Sequence, residues 1–213
     1  MVLHKHDFIL KMCKGKNVLH VGATDYPYHE IKAKDKKLLH QKLKLVAKNL
    51  IGLDFDKDSI LKLKQYGIND IYFGDIIKNK YDKEIISNKY DIIVFGDVIE
   101  HLDSPGLALE NLKQFCNKET KLLLTTPNVW TIFNLSNHFR KNEEVHQDHT
   151  FWPSKKTMDR LIMNSGYKIE KFLYLMYNSN KDKITFKGRI FKNTILTKFQ
   201  FMNPTLGYVL SYN

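Results

Sequence analysis

The sequence predicts an α/β protein in which one doubly wound, mainly parallel sheet carries helices on both faces. Four short apolar segments each stop at a glycine or an acidic residue, which is typical of buried parallel strands whose carboxyl ends open into a site. Segments with helical periodicity separate these strands. The 213 residues, 43% of them hydrophobic, suffice for one core, so the whole chain, residues 1–213, is expected to be a single domain.

The four strand signals follow one another along the first half of the chain. The last of them, residues 91–103 (DIIVFGDVIEHLD), is the most informative because its apolar run ends in Asp97, Glu100 and His101. Carboxyl ends of parallel strands meet at one edge of a sheet, so the polar residues that end these strands should lie near one another. The other three signals are residues 16–25 (KNVLHVGATD), 49–56 (NLIGLDFD) and 71–76 (IYFGDI).

Helices and further strands complete the alternation. Residues 36–48 place leucines on one face of a predicted helix. A second helix is predicted over residues 59–66, since Gly67 follows it, and the Ser-Pro pair at 104–105 predicts the start of a third. Ser154 is a candidate N-cap of a helix that ends before Gly166. The predicted later strands are residues 122–125, 167–177 and 206–212.

This order of signals resembles that of the class I S-adenosylmethionine (SAM) dependent methyltransferases over residues 16–168. The resemblance implies a Rossmann-like sheet of seven strands in the order 3-2-1-4-5-7-6, with strand seven antiparallel, and SAM as the cofactor. It also implies which residues meet the cofactor. These are Gly22, Ala23 and Thr24 in the loop after the first strand, Asp54 at the ribose hydroxyls, Phe55 beside the adenine, Asp75 and Ile76 at the adenine edge, and Gly96 and Asp97 closing the pocket.

Asp54 is suited to the ribose because a carboxylate accepts hydrogen bonds from two neighbouring hydroxyls at once. The alternative is that Asp54, Asp56 and Asp58 form a turn and a helix N-cap, since aspartate caps helices well. We assign the cap to Asp56 or Asp58 and the ribose to Asp54. The loop departs from the family because His20 replaces the usual acid and Gly22 alone remains of three glycines.

Two histidines are the candidate catalytic residues, His101 and His149. Methyl transfer to a hydroxyl benefits from a general base, and the ordinary pKa of histidine lies near neutrality. Asp148 lies between His146 and His149 and could orient either ring. The alternative for each histidine is a structural role in its loop. The aromatic residues that wall the acceptor pocket, or else belong to the core, are Trp130, Phe133 and Trp152.

The stretch from Asp97 to His101 also resembles a pattern of the ubiquinone-biosynthesis O-methyltransferases, in which acidic and histidine residues can bind a divalent cation. Asp97, Glu100 and His101 would then supply oxygen ligands and one imidazole. The same pattern occurs in many relatives that hold no metal, so no metal site is predicted.

The net charge of +11 comes from 34 basic and 23 acidic residues. Clustered cations bind phosphate, but only three of the basic residues are arginines and the lysines are scattered, so a nucleic-acid partner is not expected. Residues 186–202 are basic and amphipathic. They could rest on an anionic membrane, pack on the sheet or join two copies, and the protein is expected to be a monomer or homodimer.

The N-terminal residues are too polar for a signal peptide or a membrane span, so a cytoplasmic location is expected. Cys13 and Cys116 lack the spacing of metal ligands and are expected to be reduced thiols.

The loop that runs from His20 through Gly22 to Asp25 resembles that of methyltransferases of sugar and surface-polysaccharide biosynthesis. The resemblance implies SAM-dependent O-methylation of a small hydroxylated acceptor, such as a nucleotide-linked or capsular sugar. One alternative is methylation of RNA, which would require a continuous lysine face. The other is a SAM-binding regulatory domain without turnover.

Overall fold

A computed structural model describes residues 3–177 and 198–212, which form one mixed sheet with helices on both faces. The strands are β1 Asn17–Val21, β2 Asn49–Asp54, β3 Ile71–Asp75, β4 Lys80–Tyr81, β5 Ile92–Gly96, β6 Lys121–Pro127, β7 Tyr167–Leu175 and β8 Thr205–Tyr212. The helices are α1 Lys5–Cys13, α2 His29–Lys34, α3 Leu39–Lys44, α4 Lys57–Lys64, α5 Lys83–Ile86, α6 Pro105–Leu112, α7 Ile132–Phe139 and α8 Lys155–Asn164.

The strand order is β4-β3-β2-β1-β5-β6-β8-β7. Strands β3, β2, β1, β5 and β6 are parallel, and β8 runs antiparallel to both β6 and β7. The predicted order of seven strands and the antiparallel strand are therefore confirmed. An eighth strand was not predicted: Lys80–Tyr81 turns back antiparallel on β3, and two residues are too short to give a periodic signal.

Local sequence signals explain where several helices begin and end. Ser154 caps α8 in a capping box with Thr157, and the chain leaves the helix through Gly166 at φ +74°. The single helix expected over residues 36–48 is shorter in the structure, where α3 covers Leu39–Lys44 and the separate helix α2 precedes it. Lys36 at φ +54° interrupts the helical path between them.

The core has one layer on each face of the sheet. Phe8 and Ile9 of α1 are buried against Val94 on one face. Leu109 of α6 and Met158 of α8 are buried on the other face. Because β1, β5 and β6 are covered on both faces, their apolar runs are continuous rather than alternating, as the sequence signals indicated.

None of the helices in the described ranges is long and apolar enough to cross a membrane. Cys13 and Cys116 are free thiols, as expected. Most of the basic amphipathic segment, residues 186–197, lies outside the described residues, while the short 3₁₀ turn Gln200–Met202 ends it.

Candidate functional site

The carboxyl ends of β1, β2, β3 and β5 meet at one edge of the sheet and bring the predicted cofactor residues to it. Gly22 follows β1 at φ +72°, and its N–H donates to the Leu53 carbonyl of β2 at 2.9 Å. A Cβ at this glycine would lie 2.3 Å from Val98 Cγ2, so the loop after β5 packs directly on the loop after β1. Only glycine satisfies both the backbone conformation and the close approach. The adjoining Ala23 is buried beneath the loop.

Asp54, the last residue of β2, is buried and holds the loop after β1 in place. Its Oδ2 accepts from the Thr24 backbone N–H at 2.9 Å and from the Thr24 hydroxyl at 2.8 Å, and its Oδ1 accepts from Asp56 N–H at 3.1 Å. Burial raises the pKa of Asp54. A carboxylate has about four acceptor positions, so one is left for a ribose hydroxyl, rather than the two expected from the sequence. Asp56 caps α4 by accepting from Asp58 N–H, which separates the two roles as expected.

The predicted adenine region lies beyond Asp54. Phe55 is 71% exposed, so its ring face is free to stack on a base. Burial opposes ionisation of Asp75, but hydrogen bonds from Lys78 lower its pKa, and its Oδ1 also accepts from the Ile77 N–H at 3.1 Å. The Ile76 side chain is buried in the core, so this residue offers the edge its backbone only.

His20 replaces the acid of the family pattern and connects inward instead of toward the edge. Its Nδ1 lies 3.3 Å from His40 Nδ1, and His40 Nε2 lies 3.1 Å from Asp70 Oδ1. Burial holds the pKa of His20 well below its ordinary value, so this ring is neutral at pH 7. The position therefore carries no negative charge for the amino group of the cofactor. Sequence analysis missed His40 and Asp70 because they are 20 and 50 residues away.

Lys5 forms an ion pair with Asp97 in the loop after β5. The side chain of Lys5 is only 12% exposed and that of Asp97 32% exposed. The second oxygen of Asp97 accepts from the Thr125 hydroxyl at 2.9 Å. Backbone pairing just after the end of β7 places Lys5 here, since its N–H donates to the Met176 carbonyl at 2.9 Å. Sequence analysis missed Lys5, and no local pattern could link residues 92 positions apart.

Glu100 follows Asp97 in the loop after β5 and is 1% exposed. Its Oε2 accepts from the Thr126 hydroxyl at 3.0 Å, whereas its Oε1 has no hydrogen-bond partner among the described residues. Burial, and then the charge of Asp97, raise the pKa of Glu100 to about 8. A carboxyl group with such a pKa is mainly protonated at pH 7.

An imidazole cluster lies at the loop after β5 and consists of His101, His146 and His149. Their ring centroids are 4.7 to 5.6 Å apart. The Nδ1–H of His101 donates to the Asp148 carbonyl at 3.1 Å. Burial, followed by the neighbouring rings, lowers the pKa of His149, so it is neutral at pH 7. The structure thus brings the two predicted catalytic histidines together and adds His146 to them.

The three residues of the sequence pattern, Asp97, Glu100 and His101, have different hydrogen-bond partners and do not form one group of metal ligands. Both oxygens of Asp97 have partners, Lys5 and Thr125, and Glu100 is tied to Thr126. Instead, among residues 3–177 and 198–212, the group with the geometry of a metal site is the imidazole cluster.

The aromatic residues after β6 do not belong to the core. Trp130 is 57% exposed and Phe133 is 76% exposed, so neither ring is part of the core. Trp152 is partly buried, with an indole N–H that has no partner among the described residues.

The sequence matches the family model described as "Methyltransferase domain" over residues 13–171. No curated protein matches it. Solved structures with the same fold include a SAM-dependent methyltransferase from Thermotoga maritima, described as a possible histamine N-methyltransferase, which is 10% identical with a TM-score of 0.63. The alignment covers 98% of this chain and 87% of that one.

Two further structures extend the range of similar folds. Magnesium protoporphyrin IX methyltransferase from Synechocystis PCC 6803, solved with bound S-adenosylhomocysteine (SAH), is 10% identical over 98% of this chain and 82% of its own, with a TM-score of 0.60. The small RNA methyltransferase HEN1 is 15% identical with a TM-score of 0.61. The alignment covers 98% of this chain but only 25% of HEN1.

Proposed function

Because this chain belongs to the family of SAM-dependent methyltransferase domains, we propose that it transfers the methyl group of SAM to a hydroxyl of a small acceptor. The observation that carries the proposal is the imidazole cluster beside Asp97, on the side of the edge away from Asp54 and Phe55. A cofactor held at Asp54 and Phe55 would direct its reactive end toward the loop after β5. An acceptor at this loop would then face the imidazoles of the cluster, which can accept a proton, and not only backbone groups.

The residues present fit the cofactor. Asp54 offers a carboxylate to the ribose, Phe55 an exposed ring to the base, and Gly22 a loop without a side chain. When bound, SAM supplies the activated methyl group on its sulfonium, so the protein has to align the acceptor and remove its proton. His149 suits this second task because its lowered pKa keeps the imidazole neutral at pH 7 and its Nδ1 has no hydrogen-bond partner among the described residues.

In this proposal the acceptor oxygen attacks the methyl carbon in line with the carbon–sulfur bond, and the bonding electrons remain on sulfur. The hydroxyl proton passes to a neutral imidazole, either His149 or His101. His101 is oriented for this by its hydrogen bond to the Asp148 carbonyl. A positioned base of this kind contributes about 10²- to 10⁴-fold to a rate.

A sugar acceptor, nucleotide-linked or part of a surface polysaccharide, is the acceptor class we propose. The exposed rings of Trp130 and Phe133 support it, because the apolar face of a sugar ring packs well against an aromatic side chain. The resemblance of the loop around Gly22 to that of sugar methyltransferases supports the same class.

RNA is the second candidate acceptor. It is favoured by the net charge of +11 and by the shared fold of HEN1, whose name describes a small RNA methyltransferase. Binding through lysines to phosphate would weaken steeply as salt is raised. A sugar acceptor without such contacts would show little dependence on salt.

The test is transfer of a trideuterated methyl group from labelled SAM, followed by mass spectrometry of the acceptor. The panel contains nucleotide-linked sugars, free sugars and short single-stranded RNA, each at two salt concentrations. His149→Ala serves as the site variant, and His138→Ala, an exposed histidine of α7, as its control. Labelled sugar that His149→Ala fails to produce supports the proposal, and labelled RNA replaces it with the second candidate. SAM binding without any transfer would indicate a regulatory domain.

We also propose a cytoplasmic location, a monomeric or homodimeric state, and contact with anionic membranes through residues 186–202. Sedimentation with vesicles of anionic or neutral lipids tests the last of these. Binding to anionic vesicles that salt abolishes would agree with the lysine content of the segment.

A further inference from the structure

We infer that His101, His146 and His149 bind one divalent cation of the borderline class, of which Zn²⁺ is the best match. One ligand atom from each ring lies within 4.8 Å of the other two. Tetrahedral Zn²⁺ with Zn–N distances of about 2.0–2.1 Å places two nitrogens about 3.4 Å apart. Closure of the site therefore requires shifts of about 1 Å, which the exposed loop that carries His146 can provide.

Lone pairs for a cation are available on His101 and His149, whereas the Nδ1 lone pair of His146 accepts from the Asp148 N–H at 3.3 Å, a contact that a cation would replace. His101 donates its Nδ1–H to the Asp148 carbonyl, so its Nε2 keeps a lone pair. His149 Nδ1 is buried and has no hydrogen-bond partner among the described residues. A buried ring nitrogen without a partner is a cost to the fold that a bound cation would offset.

Asp148 provides the outer contacts that usually accompany metal-bound histidines. Its carbonyl accepts from His101, its N–H donates to His146 Nδ1 at 3.3 Å, and its carboxylate Oδ2 lies 3.7 Å from the same nitrogen. Hydrogen bonds from the Thr150 N–H and hydroxyl to the Glu100 carbonyl, at 2.9 and 3.1 Å, fix the end of the same loop. Such partners fix the orientation of the rings before a metal arrives.

The donor set selects the kind of cation. Three imidazoles suit Zn²⁺, Co²⁺, Ni²⁺ or Cu²⁺, whereas Mg²⁺ and Ca²⁺ require oxygen ligands. Asp97 is not free to bind a cation, since its two oxygens bind Lys5 and Thr125. This assignment differs from the set Asp97, Glu100 and His101 that the sequence pattern suggested, and also from the prediction of no metal site.

Three protein ligands leave a fourth position open, as in catalytic zinc sites. If the proposed methyl transfer holds, the acceptor hydroxyl would take that position, and this part of the inference rests on the proposed function. A ring nitrogen whose lone pair binds the cation cannot also accept the proton. The cation would then lower the pKa of the hydroxyl, whose proton would pass to water instead of to His149 or His101.

Binding is measured on the untagged protein after treatment with EDTA and removal of the chelator. ZnCl₂ is titrated by calorimetry, and CoCl₂ is added to a second sample for its visible spectrum. The variants are His146→Ala and His101→Ala, with His138→Ala as the matched surface control. Because His146 is exposed, its replacement should leave the fold intact, and a circular dichroism spectrum checks this.

We expect one Zn²⁺ per chain, an intense tetrahedral Co²⁺ spectrum, and a loss of affinity of about 100-fold or more in both cluster variants but not in His138→Ala. Absence of stoichiometric binding, or binding that survives both variants, would overturn the inference. Binding of MgCl₂ that Asp97→Asn abolishes would overturn it in favour of the carboxylate set. None of these measurements needs SAM or an acceptor, so they succeed or fail independently of the proposed function.

Discussion

Replacement of Lys5 by methionine should destabilise the fold by about 2 kcal/mol at pH 7. Methionine keeps most of the side-chain volume but leaves Asp97 with Thr125 as its remaining hydrogen-bond partner. Removal of one partner from a fully buried ion pair costs about 3–5 kcal/mol, whereas an exposed pair is worth about 0–1 kcal/mol. Lys5 is 12% exposed and Asp97 32% exposed, so the value should fall between these limits.

The effect should depend on pH in a defined direction. The ion pair and Thr125 lower the pKa of Asp97, so this stabilisation is present above the unfolded value of about 4 and is lost as the pH falls through the folded value. The pKa of Lys5 is raised by Asp97 despite burial, so its share is present below about pH 10 and is lost above it. The difference between wild type and Lys5→Met should be constant from about pH 5 to 9 and shrink toward pH 3.

Urea denaturation at pH 7 and at pH 3 measures these differences. Lys11→Met, on an exposed position of the same helix, is the control for loss of one charge from α1. The double variant with Asp97→Asn completes a mutant cycle, which isolates the interaction between the two side chains. If Lys5→Met costs no more than Lys11→Met, or if the two changes are additive, the ion pair does not stabilise the fold and the reasoning is wrong.

Three further predictions concern two residues of the cofactor edge and one histidine of α1. Gly22→Ala should lower the free energy of unfolding in urea by about 2–4 kcal/mol, because the new Cβ would lie 2.3 Å from Val98. Gly67→Ala, at a similar positive φ but in open space, should lower it by about 1 kcal/mol. Equal losses would mean that the contact with Val98 relaxes freely. Asp54→Asn should weaken SAM binding in calorimetry by about 10- to 100-fold. Asp56→Asn, which still caps α4, should bind SAM with the affinity of the wild type. An equal loss of affinity in both variants would contradict the assignment of Asp54 to the ribose. Burial, and then the charge of Lys5, lower the pKa of His6 to about 3. The free energy of unfolding should therefore fall by about 1–2 kcal/mol as the pH drops from 7 to 5, and His6→Asn should reduce this fall. If the pH dependence of stability is the same in the variant, His6 does not cause it.

The sheet was predictable because its signals are local. Each central strand is a short apolar run that ends in a residue suited to an open edge, and the helices between them carry caps and glycine stops that the sequence shows directly. Ser154 and Gly166 mark the ends of α8 in the structure as they do in the sequence. The strand Lys80–Tyr81 was missed because its two residues pair through a turn after Asp75 and carry no periodicity of their own.

The site was predictable only in its separate parts. The strand-end pattern identified Asp54, Asp97 and His101 as residues of the edge, and the second histidine segment identified His149. That His101 contacts His149 depends on the loop after β6 returning over the loop after β5, which hydrogen bonds from Thr150 secure. Contacts between segments some 50 residues apart follow from tertiary packing, and one sequence contains no local trace of them.

The N-terminal helix therefore belongs to the site rather than to its surroundings. The backbone of Lys5 pairs with Met176 at the end of β7, and its side chain binds Asp97 at the end of β5. These two strands are separated in the sheet by β6 and β8, so α1 ties the outer edge to the centre. The charge of Asp97 in turn raises the pKa of Glu100 and is held near the imidazole cluster. Docking of α1 should thus set the electrostatics of the acceptor side, and any acceptor that displaces Lys5 from Asp97 must supply a cation or a strong hydrogen-bond donor in its place.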